Sequence, residues 1–460
     1  MKKNKKKAEK KSSDELITIT RCRVCGKQKF KDIISLGNLH MSDFIDSDKS
    51  HEGEGYPLDL IICDRKNGGC GLVQLRHGIS PHAMYRNYWY MSGVNKTMVE
   101  ELTDIAHIAE RIARPQAGDI VLDIGSNDST LLRAYEHPGV IRVGFEPAKN
   151  LMQAAQQGSH HVFNDFFSKG PYQKKYKNAK AKIITAIAMF YDLEDPNSFI
   201  RDVATILDPN GVFVIQMTDL PSMLMLNAFD NICHEHLEYY SLDVLKFLLK
   251  RHDLEVFDVE SNDVNGGSLR AYIRHVGSRV GDERFGKDIR HLERVALEEM
   301  LGLQEYEIYE KFAADVKRLG DSLVSFIHNE KKKGKNIYVY GASTKGNTLL
   351  QYFNLTKDHI SAAAERNPMK WGKKTIRTNI PIVSEEDARK GDPHYFLVLP
   401  WHFLKEFIER EHEFFASGGK FIVPLPEFKV IGREELGISP SVRAKSTAGV
   451  GKKNDGSKKK

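Results

Sequence analysis

From residue 119 onward, short apolar runs alternate with stretches of helical spacing. Residues 120–124, 142–145, 161–163, 183–186 and 211–217 read as strands, with helical apolar intervals between them. Such alternation predicts a parallel, doubly wound sheet. Residues 288–330 space Leu, Ile, Phe and Val among many charges, which predicts one or two long helices without a sustained heptad. A second strand, glycine-rich turn and helix start span 336–351, and strands at 362–365 and 395–399 follow. Before residue 80 the pattern differs, with short runs and four cysteines. The expected organisation is a module at 16–80, an α/β domain at 81–275, a helical linker at 276–330, a second Rossmann-like α/β domain at 331–432, and tails at 1–15 and 433–460. A chain of 460 residues suits about three domains of roughly 150 residues each.

Charge changes the picture only at the ends. The net +6 combines +4 from residues 1–15 and +6 from residues 440–460, so the body is near −4. Neither tail has apolar residues to offset ordering entropy, which predicts disorder. Such tails could touch nucleic acid or an anionic membrane, or serve as solvated ends. Nothing in the body reads as a nucleic-acid binder. No apolar run approaches the ~20 residues that span a bilayer, and no apolar h-region follows the basic start. The expectation is a soluble, cytoplasmic protein.

Four of the five cysteines fall in the first module. Cys22 and Cys25 form Cys-x-x-Cys ahead of Gly26; Cys63 and Cys70 follow some forty residues on. Two such pairs can close a tetrahedral zinc site. Disulfides suit a chain without a secretion signal poorly; free buried thiols are the other reading. The second spacing, Cys-x₆-Cys, is loose, but its Gly- and Asn-rich insert still lets both sulfurs converge. With all four positions filled by cysteine, the ion would be structural.

Two stretches carry candidate cofactor chemistry. In DIVLDIGSNDSTLL (119–132) an apolar strand ends at Gly125 and turns into a helix. The next strand ends in Glu146, about twenty residues on, where an acid takes a ribose hydroxyl pair. In NIYVYGASTKGNTLLQ (336–351) the turn offers backbone N–H groups, the Ser343 hydroxyl and the Lys345 cation to an anion. That turn is not a Walker A loop, whose spacing differs. A third stretch, FDNICHEHLEYYS (229–241), places His234, Glu235 and His236 beside Cys233 and two tyrosines. These side chains are either solvated on a loop or used, with a histidine as general base beside a carboxylate. The metalloprotease spacing His-Glu-x-x-His is absent.

In a longer frame this last stretch resembles the fDtIyHEHlsYfS segment of the sugar C-methyltransferases, three-domain, zinc-containing enzymes dependent on S-adenosylmethionine. The resemblance spans nearly all of residues 20–432. The first module shares Leu36-Gly37, Tyr56-Pro57-Leu58 and the run from Cys70 to Leu75. Residues 123–132 resemble the family's DiGsNDGtLL, and the loop lacks the G-x-G-x-x-G of dinucleotide enzymes. Residues 265–270 match GGSlR. YGAaaKGnTLL, DRnp-K, LpW and GGKFIvPiP all have counterparts towards the end of the chain.

The resemblance implies a class I methyltransferase domain and a ring-carbon methylation of a nucleotide-linked 4-keto-6-deoxy sugar. It assigns S-adenosylmethionine to Asp123, Gly125, Asn127, Asp128 and Glu146, with Asp165 as an adenine contact. His236 becomes the base and Glu235 orients the site. Tyr88 or Tyr90, from a Tyr-x-Tyr-x-Ser segment ending at Ser92, hold the keto oxygen, with Tyr239 as a third candidate. Arg270 could pair with a phosphate or lie on a surface hairpin. The last domain helps hold the nucleotide-sugar through Ser343 and Lys345; a second dinucleotide is the competing occupant. The chain departs from the pattern at Ser129 (glycine in the family), at Asp192 and Glu194 (histidine and proline), at Gln216 (glutamate) and at Cys233 (tyrosine). These departures keep open methylation of another atom, or a zinc-bearing binding protein with a degenerate lobe.

Overall fold

The computed structural model describes residues 16–49, 55–86, 88 and 90–439. Residues 1–15 and 440–460 of the expected tails lie outside the described residues, as does Trp89 of the aromatic stretch. Residues 433–439, expected in the tail, turn back so that Leu436 and Ile438 pack on the core of the second α/β unit. Two apolar residues in a polar run give no periodicity that would reveal this.

The first module is built from β1 (Leu16–Thr18), β2 (Phe30–Leu39), β3 (Phe44–Asp46), β4 (Tyr56–Cys63), β5 (Val73–Leu75) and β6 (His77–Ile79). β2, β4 and β5 form an antiparallel sheet, and Glu238–Tyr239 from the following domain joins its edge beside β5. β3 pairs instead with Lys373–Thr375 of the last domain. The module therefore contributes strands to pairings with both α/β units.

The central domain holds β7 (Ile120–Ile124), β8 (Ile141–Phe145), β9 (His161–Phe163), β10 (Ala181–Ile187), β11 (Leu207–Thr218), β12 (Glu238–Tyr239), β13 (Leu254–Asn262) and β14 (Ser268–His275). Apart from β12, these form one seven-stranded sheet in the order β13-β14-β11-β10-β7-β8-β9. Its central strands are buried along nearly their whole length, which is why they read as unbroken apolar runs. β14 runs antiparallel to both neighbours, while β7 to β11 are mutually parallel. Helix α1 (Lys96–Ala113) covers one face with Leu102, Ile105, Ala106 and Ala109.

Two linker helices follow, α2 (Lys287–Met300) and α3 (Glu307–Lys332). The last unit holds β15 (Ile337–Tyr340), β16 (Ala363–Glu365), β17 (Lys373–Thr375), β18 (Ile382–Ser384), β19 (Tyr395–Val398), β20 (Lys420–Val423) and β21 (Lys429–Ile431). Its sheet order is β18-β16-β15-β19-β20-β21, with helix α4 (Thr344–Tyr352) after β15. One apolar core runs from Leu60 and Val73 of the module through Phe229 to Val339 and Phe396 of this unit. Among the described residues no helix is long and apolar enough to cross a membrane.

Candidate active site

The turn after β7 is set by Gly125, whose φ of 72° favours glycine and whose Cβ would meet Met189 at 3.1 Å. Asn127 follows at φ 50° and presents its N–H to Glu146 Oε2 at 2.7 Å. Ala148 N donates to the other carboxylate oxygen at 2.7 Å. Glu146 is therefore clamped at the end of β8, where it could accept further hydrogen bonds from a ribose. Burial still pushes its pKa up. Asp123 lies beneath, 4% exposed, accepting from the Thr185 hydroxyl at 2.6 Å, and burial pushes its carboxyl up to about 7.

The aromatic segment straps this loop. Ser92 N donates to Asn127 Oδ1 at 3.0 Å and Gly93 N to Asp128 Oδ2 at 2.8 Å. Asp128 also takes Thr130 N and its hydroxyl, so its carboxylate organises the turn. Ser129 sits at φ 62°, and its hydroxyl donates to Ala155 O at 2.7 Å. That bond gives the hydroxyl a partner in the fully buried position of the expected glycine. Asp165 is exposed and pairs with Arg86 at 3.3 Å.

The His-Glu-His loop is held by the cysteine module. β12 pairs with β5, and Leu75 N donates to Leu237 O at 2.9 Å. His234 points into that support, with Nε2 3.2 Å from Tyr56 O. His236 points elsewhere. Its Nδ1 lies 2.9 Å from the Asn231 carbonyl, which can only accept, so Nδ1 carries the proton. Nε2 is then a lone pair without a hydrogen-bond partner among the described residues. The Tyr239 hydroxyl donates to the same carbonyl at 3.0 Å. The Tyr191 ring meets the His236 ring edge-on at 4.4 Å between centroids. Burial and the Lys345 ammonium hold His236 down to about 3, so its imidazole is neutral at pH 7.

Around it lies an unusual set of carboxyls. Glu235 Oε2 and Asp192 Oδ1 are shielded from solvent and have no hydrogen-bond partner. The Tyr85 hydroxyl donates to the Glu235 carbonyl at 3.2 Å. Tyr88 and Tyr90 are 38% and 43% exposed.

The last domain closes the site from the other side. Lys345, on the first turn of α4, donates to Asn265 O at 3.2 Å. Trp401 Nε1 donates to Asp230 Oδ2 at 3.0 Å, and a Cβ on Gly266 would meet the Trp401 ring at 3.1 Å. Ser343 caps α4, accepting from Gly346 N at 3.0 Å. The phosphate role expected for Arg270 meets a correction. Its guanidinium is buried and engaged by Glu101 at 2.7 Å, Asp104 at 2.8 Å and Gln216 at 2.8 Å. With Glu260 at 3.4 Å and the Tyr272 hydroxyl at 3.3 Å as well, these partners leave no fork for a phosphate, and they give Gln216 its use. Sequence reasoning gave no site role to Tyr85, Asp230 or Trp401. Tyr85 stood in the aromatic cluster, but Asp230 and Trp401 meet across 171 residues.

The four cysteine sulfurs lie within 4.8 Å of one another, with Cys22–Cys70 at 3.6 Å and Cys25–Cys63 at 3.5 Å. A tetrahedral site with Zn–S near 2.3 Å needs sulfurs about 3.8 Å apart, so the residues fit the ion. Arg23, between the first two ligands, donates to Leu75 O at 2.7 Å and pairs with Glu194 at 3.2 Å. The zinc knuckle thus braces the turn that carries Asp192.

The sheet order, the glycine turn and the clamped acid define a class I, S-adenosylmethionine-dependent methyltransferase. Comparison with known proteins agrees. Family models match a zinc binding domain over residues 22–85, a methyltransferase domain over 98–259 and a C-methyltransferase C-terminal domain over 263–426. The C-methyltransferase NovU of Streptomyces niveus is 31% identical over 420 residues, covering 90% of this chain and 98% of NovU. The chain belongs to this C-methyltransferase family. Among solved structures, the CcbJ methyltransferase from Streptomyces caelestis is 12% identical and covers 41% of this chain and 100% of its own, with a TM-score of 0.31. An S-adenosylmethionine-dependent methyltransferase from Clostridium acetobutylicum ATCC 824 is 13% identical and covers 39% of this chain and 92% of its own, with a TM-score of 0.32.

Proposed function

We propose that this C-methyltransferase acts on a ring carbon beside the ketone of a nucleotide-linked 4-keto-6-deoxy sugar, with His236 removing the proton. The observation that carries the reading is the unpartnered Nε2 of His236, fixed as a lone pair by the Nδ1–H bond to Asn231. A neutral imidazole is the state a general base needs. Glu146 would accept the ribose hydroxyls of S-adenosylmethionine, with Asp123, Gly125, Asn127 and Asp128 shaping its loop and the exposed Asp165 beside the adenine. When bound, S-adenosylmethionine supplies an electrophilic methyl group.

Proton removal next to a ketone requires the developing oxyanion to be met by donors. Tyr88 or Tyr90, and Lys345 from the last domain, are the candidates, with Glu235 orienting the site. Lys345 and the hydroxyl of Ser343 also suit the anionic part of a nucleotide-sugar. The domain boundaries follow the same reading, with the module at 16–80 a structural zinc brace. The test is a screen of nucleoside-diphosphate 4-keto-6-deoxy sugars with methyl-labelled cofactor, followed by mapping of the labelled atom. Label on a ring carbon next to the keto group is expected; label on oxygen would overturn the reading.

A further inference from the structure

We propose that Asp192 is held as a carboxylic acid and donates a hydrogen bond to the keto oxygen while His236 removes the ring proton. This rests on the enolising role given above to His236.

The turn carrying Asp192 is fixed against the His-Glu-His loop, since Leu237 N donates to Tyr191 O at 2.9 Å. Tyr191, the preceding residue, packs its ring on His236. Asp192 is thus one residue from a direct contact of the base. Its Oδ1 is shielded and has no partner. The groups facing it are Tyr85, Tyr88, Tyr191, Cys233, Glu235, Glu238 and Tyr239. None is a cation, and among the described residues neither Asp192 nor Glu235 makes an ion pair. Two carboxylates cannot both ionise in such a place without large cost.

With no cation and no hydrogen-bond donor at its shielded Oδ1, Asp192 keeps its proton. Tyr85 has a single hydroxyl proton, and it is donated to the Glu235 carbonyl. That proton is therefore not available to Asp192. Burial pushes Asp192 well above the ordinary carboxylate range, in keeping with that assignment. Position 233 carries no hydroxyl, and a thiol is a weak donor, so Asp192 provides a strong one.

The step balances as follows. The C–H bond breaks and its proton goes to His236 Nε2. The electron pair forms the enolate double bond, and the carbonyl π pair moves to oxygen, which accepts the Asp192 O–H. The carboxyl keeps its proton, and the imidazolium later returns its own to solvent.

The experiment follows exchange of the ring proton with deuterated solvent, without S-adenosylmethionine. It uses the full chain and the sugar nucleotide that turns over in the screen. Wild type, Asp192→Asn and Asp192→Ala are compared across pH, with cofactor affinity as the check on folding. Wild-type exchange should fall at alkaline pH as the carboxyl ionises. Asparagine, a neutral donor of similar shape, should keep exchange within about tenfold and lose the alkaline fall. Alanine should lose about 10²-fold or more, the usual cost of removing an oxyanion donor. Asparagine as slow as alanine, or alanine at the wild-type rate, would overturn the proposal. So would wild-type exchange that only rises with pH, a result that needs no variant to fold. Wild type without exchange at any pH would instead strike the enolisation itself and remove both readings together.

Discussion

The two α/β units contain the same turn put to different uses. In the central domain β7 ends at Gly125, and Glu146 at the end of β8 accepts Asn127 N and Ala148 N. In the last domain β15 ends at Gly341, and Glu365 at the end of β16 accepts Ala342 N at 3.0 Å and Asn367 N at 2.8 Å. Both acids are thus clamped by a turn N–H and by the N–H two residues on. The difference lies in what meets the acid from outside. Lys370 closes the second, donating to Ala342 O at 2.8 Å and lying 3.5 Å from Glu365. No ion pair closes Glu146 among the described residues. A further difference is the residue two before the glycine: Asp123 in one unit, the fully buried Val339 in the other. A buried carboxyl is costly, and at this position it occurs only in the unit with the open acid. The second turn sends its cation, Lys345, across to the first domain. One turn leaves its acid open, and the other joins lobes.

The largest effect tests the brace that pairs with both units. Structural zinc contributes roughly 10–16 kcal/mol in small modules. Metal analysis should return about one zinc per chain, and chelation should collapse the thermal transition and activity together. Zinc-free protein with full activity would separate the module from the site it supports.

Asp123 gives the next effect. Its folded pKa of about 7 exceeds the unfolded ~3.9, so folding takes up a proton and stability falls as pH rises through that window. Asp123→Asn should remove this cost, stabilising the protein by on the order of 2 kcal/mol more at pH 8 than at pH 5, while weakening S-adenosylmethionine binding. Thermal shifts at the two pH values read the first part, and an equal shift at both would contradict it.

The acids themselves give the smallest effect and the sharpest contrast. Charge-assisted hydrogen bonds are worth roughly 1.5–3 kcal/mol, so Glu146→Ala should weaken cofactor binding about ten- to hundredfold in calorimetry. Glu365→Ala should leave cofactor affinity alone and cost about 1–3 kcal/mol of stability through the donors it orphans. Matching losses of affinity would erase the distinction between the turns.

What could be read beforehand follows from what local sequence encodes. Strand–turn–helix units, the acid at the end of β8 and the converging cysteines were legible, because burial periodicity and short spacings are local properties. The family resemblance supplied the roles proposed for His236 and Lys345. What no pattern carried was pairing at a distance. Arg270 looked free because its partners Glu101 and Asp104 lie on α1, far upstream. The Asp230–Trp401 bond and the cover that Lys370 places on Glu365 depend on how the units fold and dock. The departures at Ser129, Gln216 and Glu194 likewise find partners only in the folded chain, in Ala155 O, Arg270 and Arg23.

The central claim is that His236 enolises the substrate. Solvent deuterium exchange at the ring carbon, without S-adenosylmethionine, isolates that step. His236→Asn should bind both ligands and lose exchange by ~10²–10⁴-fold, the range of general-base catalysis. His234→Asn, whose imidazole faces Tyr56, should exchange near the wild-type rate. Exchange that persists in the His236 variant, or that vanishes in the His234 variant instead, would contradict the account.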